Sequence, residues 1–221
     1  MLVKEVETTL LEGMCRKFSA HGFVLNKNDK AYHRISNNCI QTFYLLIFKK
    51  DIGVYIEPRW SIKLKEILDI YHKVASKEKK YFKYTPVLEN SLGELIEFVD
   101  NGNESGSNKS VQYLIENDRD ITTLIEIIPK RFEKYVLPYF NQNSNIARVD
   151  KLLNTNPREL SIHHWLYPLR ACMGIIAAQI VHNPIYNDLV NIYEEELQEA
   201  NLTYKMEFEK LISVLNKFKW G

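Results

Sequence analysis

Between residues 23 and 62 the sequence turns into β-branched and aromatic runs, at 23–25, 32–35, 40–48 and 54–62. Turn-forming residues separate them: Asn26-Lys-Asn-Asp, Ser36-Asn-Asn and Lys49-Lys-Asp-Ile-Gly. Connections this short can join only antiparallel neighbours, so the chain is committed to a meander of four strands. Along a strand, alternate residues face opposite ways. His33, Tyr55, Arg59 and Trp60 lie in this sheet. They form an aromatic and basic platform if helices leave one face uncovered, and are core residues if helices cover both.

An amphipathic helix precedes the meander. Val3, Val6, Leu10, Met14 and Phe18 recur at steps of three or four, and His21-Gly22 supplies the stop. A second helix is expected over 64–74, with Leu64, Ile67, Leu68 and Tyr71 as its buried stripe. A strand at 81–85, a short helix at 91–99 and a strand at 111–115 follow. The Gly-, Ser- and Asn-rich stretch at 101–108 reads as a flexible loop. Beyond it the pattern is helical, punctuated by Pro129, Pro138, Pro157, Pro168 and Pro184. Helices at 157–181, 184–200 and 203–218 are expected, and the apolar surround of 171–181 makes that segment the central one, with Ile175, Ile176 and Ile180 buried.

The sequence therefore predicts an α+β protein: an antiparallel sheet of four or five strands backed by helices over 1–116, then an all-helical layer over 117–221, forming one globular unit. The 221 residues suffice for a sizeable core, and 45% hydrophobic with 26% charged residues is an ordinary soluble composition. Lys4, Glu5 and Glu7 stand where a secretory segment needs its apolar run, which points to the cytoplasm. Gln179, His182, Asn183 and Pro184 interrupt the longest uncharged stretch, so no membrane span is expected. Cys15, Cys39 and Cys172 are odd in number and widely spaced, as reduced thiols would be.

Candidate chemistry is sparse. Glu66, Asp69 and His72 share a helix face, and Glu159 lies four residues before His163, with His164 adjacent. Neither cluster has the second helix that a carboxylate metal site requires, so no metal or other cofactor is expected. There is no Gly-x-Ser-x-Gly elbow and no glycine-rich phosphate loop. The charge is uneven: residues 1–85 carry 16 Lys+Arg against 9 Asp+Glu, and 86–221 carry 13 against 19. Around 73–84, Lys77, Lys79, Lys80 and Lys83 interleave with Tyr81, Phe82 and Tyr84. That combination suits the rim of a protein interface, and equally phosphate contact with base stacking.

The order of elements and several short strings resemble uncharacterised bacterial domain-of-unknown-function families, of a kind sometimes found beside polymorphic toxins. The strings are His21-Gly-Phe, Tyr32-His-Arg, Gly53-Val-Tyr-Ile, Asp150-Lys-Leu-Leu and Asn183-Pro-Ile-Tyr-Asn-Asp-Leu-Val. The resemblance brings no catalytic residue. It implies a bacterial, immunity-like protein that neutralises a partner. The expected function is thus non-enzymatic protein binding through Lys77, Lys79, Lys80, Tyr81, Lys83, Tyr84, Tyr55, Arg59 and Trp60. The alternatives are an enzyme with an unrecognised pocket and a nucleic-acid binder.

Overall fold

The computed structural model describes residues 3–36, 38–102 and 111–217. Helix α1 (Val3–Ser19) buries Val6, Leu10, Leu11, Met14 and Phe18, the expected stripe with Leu11 added and Val3 only half-buried. It stops at Gly22, whose φ of +79° is open to glycine at little cost. The meander follows as β1 (Val24–Asn26), β2 (Ala31–Ile35), β3 (Cys39–Lys50) and β4 (Gly53–Leu64), each antiparallel to the next.

Helix α2 (Lys65–Tyr71) leads to a 3-10 turn at Lys79–Tyr84, then β5 (Leu88–Ser91), α3 (Leu92–Asn101) and β6 (Tyr113–Ile115). Both short strands pair antiparallel with β4, β5 opposite residues 59–62 and β6 opposite residues 54–56. A strand of 12 residues, paired with β3 along one edge, thus has its other edge shared by two strands end to end.

The strand expected at 81–85 is the 3-10 turn instead. Val87 N–H already donates to the Ile62 carbonyl at 2.8 Å and β5 takes the rest of that edge, so the preceding residues have no ladder to join. They close on themselves, and Phe82 stacks on His72 at 4.1 Å between ring centres. Of the loop expected at 101–108, residues 103–108 lie outside the described residues.

One face of the sheet is packed. Phe43 and Trp60, paired across β3 and β4, are fully buried with Tyr32, Ile56 and Ile62. Against them lie α1 and the continuous run of α4 (Asp118–Arg131), a π-turn (Phe132–Val136) and α5 (Leu137–Asn143). Phe132 sits 4.5 Å from Phe18 and 5.2 Å from Phe43, and Tyr139 sits 4.6 Å from Trp60. Pro129 inside α4 cannot donate to the Ile125 carbonyl, which instead accepts from Lys17 Nζ of α1 at 3.2 Å.

The helical layer consists of α6 (Ile146–Asn154), α7 (Tyr167–Ile180), α8 (Tyr186–Glu196) and α9 (Leu202–Leu215). Helix α7 is central: Ile175 and Ile176 are fully buried, whereas Ile180, near its last turn, is only half-buried. Asn154 of α6 donates to the Gly174 carbonyl at 2.9 Å, an approach so close that a Cβ at Gly174 would stand 2.6 Å from Asn154 Oδ1.

The single helix expected over 157–181 is not formed. Pro168 cannot supply an interior N–H, so the helix starts at Tyr167 with the proline in its first turn. Residues 155–166 cross as an irregular segment. Arg170, 2% exposed, holds that segment by donating to the carbonyls of Leu153, Asn156 and Glu159. Among the described residues no helix is long and apolar enough to cross a membrane.

Candidate functional site

Among the described residues the second face of the sheet is less covered than the first, although Thr42, Glu57 and Ser61 on it are buried. The register places His33 opposite Thr42, Tyr44 opposite Arg59, Leu46 opposite Glu57, and Phe48 opposite Tyr55 on this side. Ile35 at 71%, Val24 at 70% and Leu46 at 44% exposed are apolar groups that water still reaches. At the distal end Phe48 and Tyr55 stack at 5.8 Å, and the Lys50 ammonium lies 4.6 Å from the Tyr55 ring centre. The arrangement is a cation on an aromatic pair at the surface.

At the other end the 3-10 turn rises beside the strands and makes a cleft of about 450 Å3. Its floor carries His33, Thr42, Tyr44, Ser61 and Lys63; Ala31, Ile35 and Ile40 give it an apolar side; Lys83, Tyr84, Asp29 and Glu89 form the rest of the rim. His33 Nδ1 lies 3.0 Å from Thr42 Oγ1, and His33 Nε2 lies 3.5 Å from Asp29 Oδ2. Burial lowers the His33 pKa, with Asp29 pulling the other way. Burial also lowers the Lys63 pKa, and pushes the Tyr44 phenol up to about 12.

The residues expected to bind are scattered over different surroundings. Tyr55 and Arg59 lie on the open face, where Arg59 pairs with Glu57 at 3.0 Å. Trp60 does not: adjacent to Arg59, it points to the packed side and donates Nε1–H to the Ser91 carbonyl at 3.1 Å. The two-residue period of a strand excludes Trp60 from any surface that contains Tyr55 and Arg59. Lys83 and Tyr84 line the cleft, while Lys79, Lys80 and Tyr81 are exposed on the same turn without lining it. Lys77 borders a separate depression of about 430 Å3 with Tyr71, Ser76 and Glu207. Its pKa is lowered by burial. The 73–84 stretch is therefore no continuous stacking track, since its middle aromatic, Phe82, is taken by His72.

The two candidate metal clusters are dispersed. Asp69 pairs with Lys65 at 2.6 Å, Glu66 accepts from Asn38 at 3.2 Å, and His72 lies beyond the end of α2. His163 Nδ1 is 2.8 Å from the Tyr139 hydroxyl, inside the core, and Glu159 is exposed. Among the described residues no group of three or more His, Cys, Asp or Glu is placed to hold a metal ion. Cys39 and Cys172 are buried, Cys15 is half-buried, and all three are free.

Sequence reasoning missed Tyr44, Ser61 and Lys63, although they were findable. Ser61 and Lys63 continue the step of two from Tyr55 and Arg59, and Tyr44 is the cross-strand partner of Arg59. Asp29 and Glu89 reach the cleft from a turn and from β5, and no local pattern announces them. No family model, curated protein or solved structure matches this chain.

Proposed function

We propose that this chain is a non-enzymatic binding module that holds another protein on the open face of its sheet. The observation that carries this reading is the concentration of Val24, Ile35 and Leu46, exposed as they are, on the same face as the Phe48–Tyr55–Lys50 cluster. Exposed apolar and aromatic area bordered by cations has the composition of an interface patch with a charged rim, and it gains free energy when a partner displaces its water. Lys79 and Lys80, exposed at the border, favour a partner whose rim is acidic. Cytoplasmic placement and bacterial type belong to the same proposal on sequence texture, and a toxin as the partner is its narrower form, supported by the family resemblance.

The test uses a photo-crosslinking phenylalanine derivative in place of Tyr55, with the same residue in place of the exposed Glu209 on α9 as control. Irradiation in the producing cell is expected to give one discrete protein adduct from position 55 that is absent from position 209 and lost when Ile35→Asp is added. Identical adducts from both positions, nucleic acid as the adduct, or none from position 55 would each overturn the proposal.

One observation favours an enzyme as the second reading: His33, Tyr44 and Lys63, all with displaced pKa values, converge on one cleft.

A further inference from the structure

We propose that the cleft beside the 3-10 turn is a binding site for a small monocarboxylate with an apolar body, its carboxylate on Lys63 and its body against Ile35, Ile40 and Tyr84. At about 450 Å3 the cleft has the size of a small-molecule site. It is also divided, with the apolar side chains of β2 and β3 on one side and Ser61 and Lys63 on the floor.

The inference rests on the charges. Two carboxylates line the cleft and both act electrostatically on Lys63, but neither forms an ion pair with it, and each is held in place by other partners. Glu89 accepts from Trp165 Nε1 at 2.5 Å. Asp29 accepts from Asn26 Nδ2 at 2.8 Å and lies 3.4 Å from Lys83 Nζ. Lys63 is the opposite case. It is half-buried and donates to the Lys83 carbonyl, yet among the described residues no carboxylate stands within ion-pairing distance of it. An ammonium has three donors, so two remain for a ligand. A partly dehydrated ammonium whose nearby carboxylates, Asp29 and Glu89, act on it only from beyond contact is incompletely compensated, and a carboxylate arriving from solution can touch it directly. Among the described residues that line the cleft, Lys63 is the one lysine without an ion pair, and Asp29 and Glu89 lie near it, so the site suits a single negative charge and not a phosphate dianion.

This site shares Ile35 with the protein-binding face but does not rest on that reading, because it is tested on the isolated chain with no protein partner present. Reductive methylation of the wild-type protein, followed residue by residue by mass spectrometry, reports the free amine of each lysine. Benzoate is expected to slow modification of Lys63 at least threefold while leaving exposed Lys79 unchanged, and neutral benzamide is expected to do neither. Benzoate binding measured by calorimetry should weaken at least tenfold in Lys63→Met. Equal protection by benzoate and benzamide, protection of Lys79 alongside Lys63, or stronger protection by inorganic phosphate than by benzoate would overturn the proposal. So would unchanged affinity in Lys63→Met. The protection experiment decides the matter on the wild-type chain even if that variant fails to fold.

Discussion

The two faces of the sheet are made by the same strands, and often by adjacent residues, yet they have opposite fates. On one, Phe43, Ile56, Trp60 and Ile62 are fully buried against α1 and the α4–α5 run. On the other, Tyr44, Tyr55, Arg59 and Lys63 stay in contact with water. Aromatic content does not distinguish them, since both faces are rich in rings. What differs is polarity beside the rings. The packed face pairs aromatic with apolar, as Phe43 with Trp60, and the open face places cations and hydroxyls between them, as Tyr44 with Arg59. Burying such a face under a helix would strand those polar groups, and this chemistry keeps it open without further constraint.

The largest expected effect comes from two fully buried imidazoles, set against His33 on the open face. His163 and His164 are 2% exposed, and burial lowers each pKa to about 3. With folded values below the unfolded 6.5, the unfolded chain takes up protons first as pH falls. Stability should be complete above about pH 6.5 and decline on the way to pH 3, by about 1.4 kcal/mol per pH unit for each histidine. His164→Gln should flatten the slope measured by urea denaturation between pH 4 and 6.5. An unchanged slope would show that the ring is solvated. His33 on the open face is only half-buried, and His33→Gln should alter the slope much less.

Next come deletions of packing. Trp60→Ala should cost about 3–5 kcal/mol and Ile176→Ala about 2–5 kcal/mol, from lost burial and the cavity left behind. Tyr55→Ala, on the neighbouring parity of the same strand, should cost under about 1 kcal/mol because it is part-exposed and its ring stacks on Phe48 and Lys50 at the surface. Equal losses at positions 55 and 60 would erase the distinction between the faces. The smallest effect on the fold is expected from Lys79→Glu with Lys80→Glu, which should leave the denaturation midpoint unchanged. If the captured partner has an acidic rim, the same pair should slow its association several-fold and weaken the salt dependence of that rate.

The fold was readable where local chemistry and long-range pairing agree. β1 to β4 are marked by β-branched and aromatic runs with short turns, so the meander and its antiparallel sense follow directly. β5 is Leu-Glu-Asn-Ser, with no β-branched residue, and becomes a strand because β4 offers an unpaired edge. The lysine- and tyrosine-rich turn at Lys79–Tyr84 failed as a strand for the converse reason: its propensity was adequate, but no edge remained. The candidate site was half legible. Strict alternation from Tyr55 leads to Arg59, Ser61 and Lys63 and rejects Trp60, whereas the walls supplied by Asp29, Tyr84 and Glu89 depend on how the turn and β5 meet the sheet.

Hydroxyl-radical footprinting of the purified protein tests most directly whether the two faces differ as described. Trp is intrinsically among the most reactive side chains and Phe is less so, which sets accessibility against reactivity. Oxidation is expected to alternate along β3 and β4, strong at Leu46, Phe48 and Tyr55 and weak at Phe43, Ile56 and Trp60. Rapid oxidation of Trp60 together with protection of Tyr55 would contradict it, and would mean that the helices cover the other side of the sheet.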